Sequence, residues 1–430
     1  MPSLREFDDE LSRRLEGLQA QGLYRALSYI ESAQSPRVLT GGRAMLNFAS
    51  NDYLGFADHP FLKEAAIRAV EKYGAGAGAS RLICGSQLPH RELDAVIAAF
   101  EGAEAALGFS TGYAAALGTI GALLGKDDII VLDRLVHASI VDAARLCGAK
   151  LRVFPHNDPG GLESILKWAR QRSPGSTRIG SVPRVLIVTE SIFSMDGDHA
   201  PLRELVQLKE RYGAWLMVDE AHATGLYGAR RTGLIEAAGV SDQIEIRMGT
   251  LGKAIGAAGG YVCGSRLLVD YLVNRARSLI FSTAPVPAAA AAAAAGVQLV
   301  QSDVGRERCQ SLWERVAELN LGLEELRNGG HPIMAVGKSP ARIAGLGGVL
   351  PSAIIPILLA DETLAVAVSK TLRNQDIFVP AIRYPTVARD SARLRITLSA
   401  AHSSEEISSL LGALRNLSPL LFQHASAREA

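Results

Sequence analysis

The chain predicts an α/β fold with a central, mostly parallel sheet sandwiched by helices, and three observations predict it. Short apolar runs alternate with helical stretches from about residue 100 onward. The apolar runs, VLIVT among them, lack polar alternation, as expected of strands covered on both faces. Polar residues follow each run, and repeated βαβ units of this kind imply a layered sheet with helices on either side.

Taken in order, residues 1–47 read as an N-terminal helical arm. Leu4, Phe7, Leu11, Leu15 and Leu18 fall at helical spacing, which predicts an amphipathic stretch packing on the body or on a second subunit. Charges of both signs interrupt this segment, unlike the uninterrupted apolar region of a secretory signal. The large domain, residues 48–295, holds AEAALGFS before the helix-like TGYAAALGTIGALL, and DDIIVLD before HASIVDAARLCG. RVLIVTE then leads through SIFSMDGD to APLRELVQLKERYG, followed by AWLMVDE and EIRMGT. SRLLVDYLVNRARSLIF reads as one long helix. The alanine run at 288–295, entered through Pro285 and Pro287, reads as a tightly packed interior helix, too short and too weakly hydrophobic for a membrane span. Over residues 296–430 the pattern shifts to fewer strands, VLPSAIIPILL, IFVPAIR and RLRITLSA, set among helices: a smaller α+β domain.

At 430 residues and 48% hydrophobic content the chain can bury a sizeable core. Its 45 basic residues against 44 acidic ones give no overall attraction to nucleic acid, membrane surface or an acidic partner. Cys84, Cys147, Cys263 and Cys309 are far apart, with no CxxC pair and no histidine at ligand spacing. They read as reduced thiols of a cytoplasmic protein without a metal site.

In open parallel sheets ligands sit beyond the carboxyl ends of the strands. The polar residues there include Ser110 to Tyr113, His137, Ser194, Asp219, His222, Thr250 and Lys253. Lys253 is the one charged residue of GTLGKAIGAAGG. Either its stem packs while the amine reaches water, or the amine is held in a pocket for its chemistry. A neutral amine there would attack an aldehyde, and an acid such as Asp219 would keep a pyridine nitrogen protonated. The plain alternative for Asp219 is a helix or turn cap. STGYAAALG offers a strand-to-helix turn whose N–H groups would hold a phosphate, with Gly112 allowing close approach and Tyr113 opening the helix; an ordinary cap is the competing reading. Thr250 would add a hydroxyl to that phosphate. His137 would lay its ring over a pyridine face or cap the helix after it, and Ser194 and His222 would reach a phenolic oxygen or serve as loop residues.

Other motifs compete. VDEAH matches the acidic motif of helicases, but GTLGKA lies downstream of it and carries Arg247 and Ala254 where a phosphate loop needs glycine and a hydroxyl. GAGAGA at 74–79 follows a helix-like segment, which argues against a dinucleotide site. A non-catalytic binding module on this fold stays open.

The ordered set SNDYLG, GAGASR, HRELD, STGYAA, DRLVHAS, HND, TESIFSMDGD, VDEAHATG, GTLGKA and RLRITLSAAH resembles the α-oxoamine synthase family of fold-type I pyridoxal phosphate transferases, from about residue 25 to 415. VDEAHATG and AIRYPTV are most similar to members that join L-alanine to pimeloyl-CoA or a pimeloyl carrier protein. Siblings using glycine or serine with another acyl-CoA are the alternative. The resemblance implies an acyltransferase with pyridoxal 5′-phosphate as cofactor and Lys253 as its Schiff-base lysine. It makes Asp219 the pyridinium partner and His137 the stacking ring, and puts Gly112, Tyr113, Thr250, Ser194 and His222 around the cofactor. It gives the amino-acid carboxylate to Arg395 with Asn51, and substrate contacts to Arg25, His137 and Thr386. Ser282 and Thr283 in FSTAP would reach a neighbouring subunit's phosphate, so a homodimer with shared sites is implied. For Arg25 and Arg395 a surface ion pair is the alternative. Cys84, where relatives more often have serine, and the alanine-rich KAIGAAGGY depart from the pattern near the acyl substrate.

Overall fold

The computed structural model describes residues 4–171, 183–331, 350–418 and 421. Helix α1 (Leu4–Ala20) has the expected apolar spacing, yet none of its residues is buried and all five apolar positions are exposed. Among the described residues none packs over this apolar face, which leaves the second-subunit alternative of the expectation. β1 (Arg37–Thr40) and β2 (Arg43–Asn47) form an antiparallel pair that the sequence reading did not separate from the arm. α2 (Pro60–Tyr73) starts where Pro60 loses no helical bond and His59 accepts the Phe61 N–H at 3.2 Å.

The alternation then runs through α3 (Leu88–Glu101), β3 (Ala105–Phe109), α4 (Gly112–Leu123), β4 (Ile129–Asp133), α5 (Ala138–Leu146), β5 (Lys150–Phe154) and α6 (Pro159–Gln171). It continues with β6 (Val185–Glu190), α7 (Leu202–Tyr212), β7 (Trp215–Asp219), α8 (Leu234–Ala238), β8 (Ile246–Thr250) and β9 (Gly260–Gly264). These strands make one seven-stranded sheet in the order β3-β9-β8-β7-β6-β4-β5. All its pairings are parallel except those of β9, which runs against both neighbours. β4, β6 and β7 each run apolar up to a polar C-terminal end because helices cover both faces. The edge strand β5 keeps Lys150 and Arg152 exposed, which is why its pattern was not legible as a strand.

The long helix expected from SRLLVDYLVNRARSLIF is two, α9 (Arg266–Arg275) and α10 (Arg277–Ile280), broken at the extended Ala276. No helix-breaking residue stands there. Packing sets the break: Ser278 Oγ donates to the Ala114 carbonyl on α4 at 2.5 Å, and a Cβ at Gly118 would lie 3.2 Å from that of Ala276. α11 (Pro287–Gln301) is the alanine helix, with Ala290, Ala293 and Ala295 buried where it packs on α2 and α3.

After α12 (Asp303–Asn328) come β10 (Ile354–Ala360), α13 (Glu362–Asn374), β11 (Ile377–Phe378), β12 (Ala381–Ile382), β13 (Ala392–Thr397) and α14 (Ser404–Arg415). Val349, the first residue of the run read as a strand here, lies outside the described residues. β13 is flanked by β10 and β12, both antiparallel to it, and every one of its residues is buried. β11 pairs in parallel with β2, so part of the N-terminal segment shares a small sheet with the C-terminal one.

Two compact units result. One is built from Asn51–Trp313 with residues 350–352; the other gathers the described residues up to Ser50, residues 314–331 and those from Ala353 on. The division falls inside α12. Among the described residues no helix is long and apolar enough to cross a membrane.

Candidate functional site

Within the unit of the seven-stranded sheet, β8 ends at Thr250 and the chain returns through residues 251–259 to the reversed β9. The return is tied by Leu251 N–H to the Gly259 carbonyl at 3.0 Å, Ala257 N–H to the Leu251 carbonyl at 2.8 Å and Gly256 N–H to the Lys253 carbonyl at 2.8 Å. Lys253 hangs from this return, half-buried, with its Nζ 2.8 Å from His222 Nε2. His222 Nδ1 in turn lies 2.6 Å from the Tyr53 hydroxyl, which also reaches Asn51 Oδ1 at 3.4 Å. The imidazole is buried. One ring nitrogen faces an amine and the other a phenol, so the two contacts are linked. If the ammonium donates to Nε2, then Nδ1–H donates to Tyr53; if Tyr53 donates to Nδ1, then Nε2–H donates to a neutral amine.

Asp219 closes β7 and is buried, accepting the Ala221 N–H at 2.9 Å. Burial pushes its pKa up, while the Lys253 ammonium, that N–H and His137 pull it down. Its register neighbour on β6 is Glu190, another buried acid. Burial and the Asp219 charge drive Glu190 well above the carboxylate range, against the pull of Lys253 and the His137 backbone N–H. A proton on Glu190 leaves Asp219 to carry the charge.

His137 precedes α5 and caps it: its Nδ1 accepts the Ser139 N–H at 3.2 Å and meets Ser139 Oγ at 2.8 Å. The residue is nevertheless exposed, and capping through Nδ1 leaves the faces of the ring for another group. Burial by its surroundings lowers its pKa, Asp219 raises it and Lys253 lowers it. Both sequence readings of His137, cap and ring face, are thus compatible with one conformation.

α4 begins at Gly112, with Thr111 Oγ1 accepting the Ala114 N–H at 2.9 Å, so the N–H groups of Gly112 and Tyr113 precede the first capped donor. The backbone approach is close: a Cβ at Gly260 would stand 2.5 Å from Gly112 Cα and N. Tyr113 is exposed and its hydroxyl bonds Asp142. The Thr250 hydroxyl donates to the Gly259 carbonyl at 3.1 Å and accepts the Gly252 N–H at 3.2 Å, so it would have to turn to reach an anion. Ser194 is half-buried on the loop between β6 and α7. Ser282 is half-buried and Thr283 exposed, where Thr283 bridges to Ser80.

Arg25, Thr386 and Arg395 lie in the other unit. Arg25 donates to the Tyr384 carbonyl at 3.2 Å, which brings it to the segment of Thr386, itself exposed. Arg383 beside it is held below the usual guanidinium range by burial and by the Arg25 charge. Arg395 is buried on β13 and donates to Thr397 Oγ1 at 2.8 Å, so the surface ion-pair reading does not describe it.

Tyr53 and Glu190 were missed as site residues, although both sit inside motifs already singled out, SNDYLG and TESIFSMDGD. Chemically, the cluster offers an amine beside an imidazole, a buried acid within electrostatic reach of that amine, an exposed imidazole face and a helix N-terminus suited to an anion.

The profile of the family "aminotransferase class I and II" matches residues 43–414. The 8-amino-7-oxononanoate synthase of Geotalea daltonii is 45% identical over 403 residues, 94% of this chain and 96% of that protein. Among solved structures, the serine palmitoyltransferase of S. paucimobilis with bound PLP–myriocin superposes with a TM-score of 0.85 at 28% identity, over 98% of this chain and 99% of that one. The 8-amino-7-oxononanoate synthase of Francisella tularensis gives 0.68 at 26% identity, over 88% and 99%.

Proposed function

Because this chain belongs to the aminotransferase class I and II family and, within it, to the α-oxoamine synthases, we propose that it condenses L-alanine with pimeloyl-CoA or a pimeloyl carrier protein. The products are 8-amino-7-oxononanoate, carbon dioxide and the free thiol carrier, in biotin biosynthesis. The observation that carries this reading is the 45% identity to the Geotalea daltonii enzyme along 94% of the chain.

Pyridoxal 5′-phosphate is the cofactor, and the donor set fits it: an amine, a buried acid within electrostatic reach of that amine, an exposed imidazole face and a helix N-terminus. When bound, it supplies an aldehyde for an amine to capture and a ring that withdraws electrons from the amino acid's α-carbon. Lys253 would hold it and, when neutral, its Nζ would serve as general base for the α-proton of alanine. His222, with Tyr53 behind it, orients the amine and moves its proton. Asp219 would keep the ring nitrogen protonated, and the open face of His137 would be available to the ring. Gly112, Tyr113 and Thr250 serve the phosphate, and Ser194 and His222 the phenolic oxygen. Arg395, with Asn51, takes the alanine carboxylate; Arg25, His137 and Thr386 contact substrate.

The protein works in the cytoplasm as a homodimer in which Ser282 and Thr283 serve a neighbouring subunit's phosphate. The exposed apolar Ile83 and Phe281 near that segment, and the uncovered face of α1, support a partner subunit.

A second reading, a sibling synthase using serine or glycine, is favoured by the higher TM-score to serine palmitoyltransferase. Incubating the purified protein with alanine, glycine or serine and a series of acyl-CoAs, then following thiol release and product mass, separates them. Alanine with pimeloyl-CoA should release thiol fastest. Faster release with serine or glycine overturns the first reading, and conversion of the amino acid without thiol release overturns both.

A further inference from the structure

Three segments outside the amine cluster meet around His156. Asp133 ends β4, His156 and Asn157 follow β5, and Asp198 lies on the loop between β6 and α7. His156 Nδ1 is 2.9 Å from Asp133 Oδ1 and its Nε2 is 2.7 Å from Asp198 Oδ2. Each ring nitrogen faces a carboxylate oxygen, and a neutral imidazole has only one N–H. One of those oxygens would then meet a lone pair, so the geometry calls for the doubly protonated ring.

Asn157 reinforces the junction. It takes a left-handed backbone (φ 53°), which asparagine tolerates, gives its N–H to Asp133 Oδ2 at 2.8 Å, and passes its amide to Asp198 Oδ2 at 3.1 Å and the His199 carbonyl at 3.0 Å. The His156 ring stands edge-on to Phe193 at 4.3 Å between centroids. Phe193 precedes Ser194 and closes its own loop through its N–H to the Asp198 carbonyl at 3.1 Å. On the other side, Asp133 Oδ1 accepts the Leu135 N–H at 2.8 Å, two residues before His137.

We propose that His156 is a positioning residue: held between Asp133 and Asp198, it clamps the β4–α5 loop that carries His137 to the β6–α7 loop that carries Ser194. The consequence for catalysis rests on the roles proposed above for those two residues; the clamp itself does not. Burial opposes the charge on His156, but the bonds and charges of Asp133 and Asp198 outweigh it and raise its pKa to about 9. Those two carboxylates face the ring from β4 and from the β6–α7 loop; Phe193 and Asn157 are uncharged. His199, beyond Asp198, is pulled down to about 4 by burial and stays neutral. A pKa raised on folding means the clamp is fully present below the ordinary histidine range and is lost as pH climbs through about 9.

The test is hydrogen exchange on the full chain without added cofactor, comparing wild type, His156→Phe and Asp198→Asn. Amides at 134–139 and 192–197 should exchange at least about 10-fold faster in the variants, with the strands of the large sheet still protected. In wild type the same segments should loosen beyond the intrinsic base-catalysed rise as pH passes about 9, a step the His156 variant lacks. With cofactor and substrates saturating, kcat should fall about 100-fold while KM for the amino acid stays within about 3-fold. Unchanged exchange in the two segments overturns the clamp, as does loss of protection spread over the whole sheet. If His156→Phe does not fold, Asp198→Asn decides on the same criterion. Exchange as expected in a wild-type chain that makes no condensation product supports the clamp and removes the functional reading instead.

Discussion

Asp219 and Glu220 are consecutive, both buried and both raised by that burial, yet they open onto two regions of one unit that surround an acid differently. Glu220 accepts the N–H groups of Leu234 and Ile235 at the start of α8, each at 3.2 Å, and burial raises its pKa to about 8. Glu101, near enough to add to that shift, is itself raised by burial to about 7. It takes the Tyr261 hydroxyl at 2.6 Å, whose oxygen meets Thr224 Oγ1 at 3.1 Å, while Arg247 donates to the Glu101 carbonyl at 2.8 Å. This region closes on itself, and burial holds both its acids above the usual carboxylate range. Around Asp219 the acid faces Lys253 and His137, the amine is half-buried and the imidazole face is open. Burial of an acid is common to both regions. What separates them is whether its partners are fixed donors or groups that can change partners.

The sharpest way to break this contrast is Lys253→Ala. Turnover should fall by at least about 10⁴-fold, with stability in urea moving by less than about 1 kcal/mol. A variant that keeps its turnover, or one that unfolds, places Lys253 in the wrong class. Next in size, Glu220→Ala should cost about 3 kcal/mol in the same urea titration, because two N–H donors lose their acceptor and a space opens. An unchanged midpoint means the region is not closed. Tyr261→Phe removes a donor from Glu101 and an oxygen from Thr224, and should cost about 1–2 kcal/mol.

The smallest effect is a slope. Glu101 and Glu220 keep protons in the folded chain over a range where the unfolded chain, with carboxyls near 4.5, has lost them. The stability they add is therefore fully present below 4.5 and declines as pH rises through about 7 and about 8. Thermal scans from pH 5 to pH 8.5 should show Tm falling, and Glu220→Gln should flatten the fall. A Tm that rises over this range contradicts the assignment.

The parallel core of the sheet was legible because β4, β6 and β7 are buried on both faces and so carry unbroken apolar runs. β5 and β9 were not. β5 lies at an edge and keeps polar residues, and GYVCG is short and flanked by glycine, so neither shows a period. The break at Ala276 was invisible because it is imposed by α4, far away in the sequence. In the site, Asp219, His222, Thr250 and Lys253 were read from strand ends, whereas Asn51, Ser282 and Thr283 came only with the resemblance. Tyr53 escaped because its hydroxyl meets His222 across 169 positions, a distance no local pattern reports. The spacing of α1 was read as amphipathic, but among the described residues none covers its apolar face.

The reversed strand β9 has one further effect on Lys253. Because the backbone turns straight back into the strand beside the one it left, the lysine is moored at both ends and only its own side chain can swing. Lengthening that short return would therefore carry the Lys253 amine away from His222.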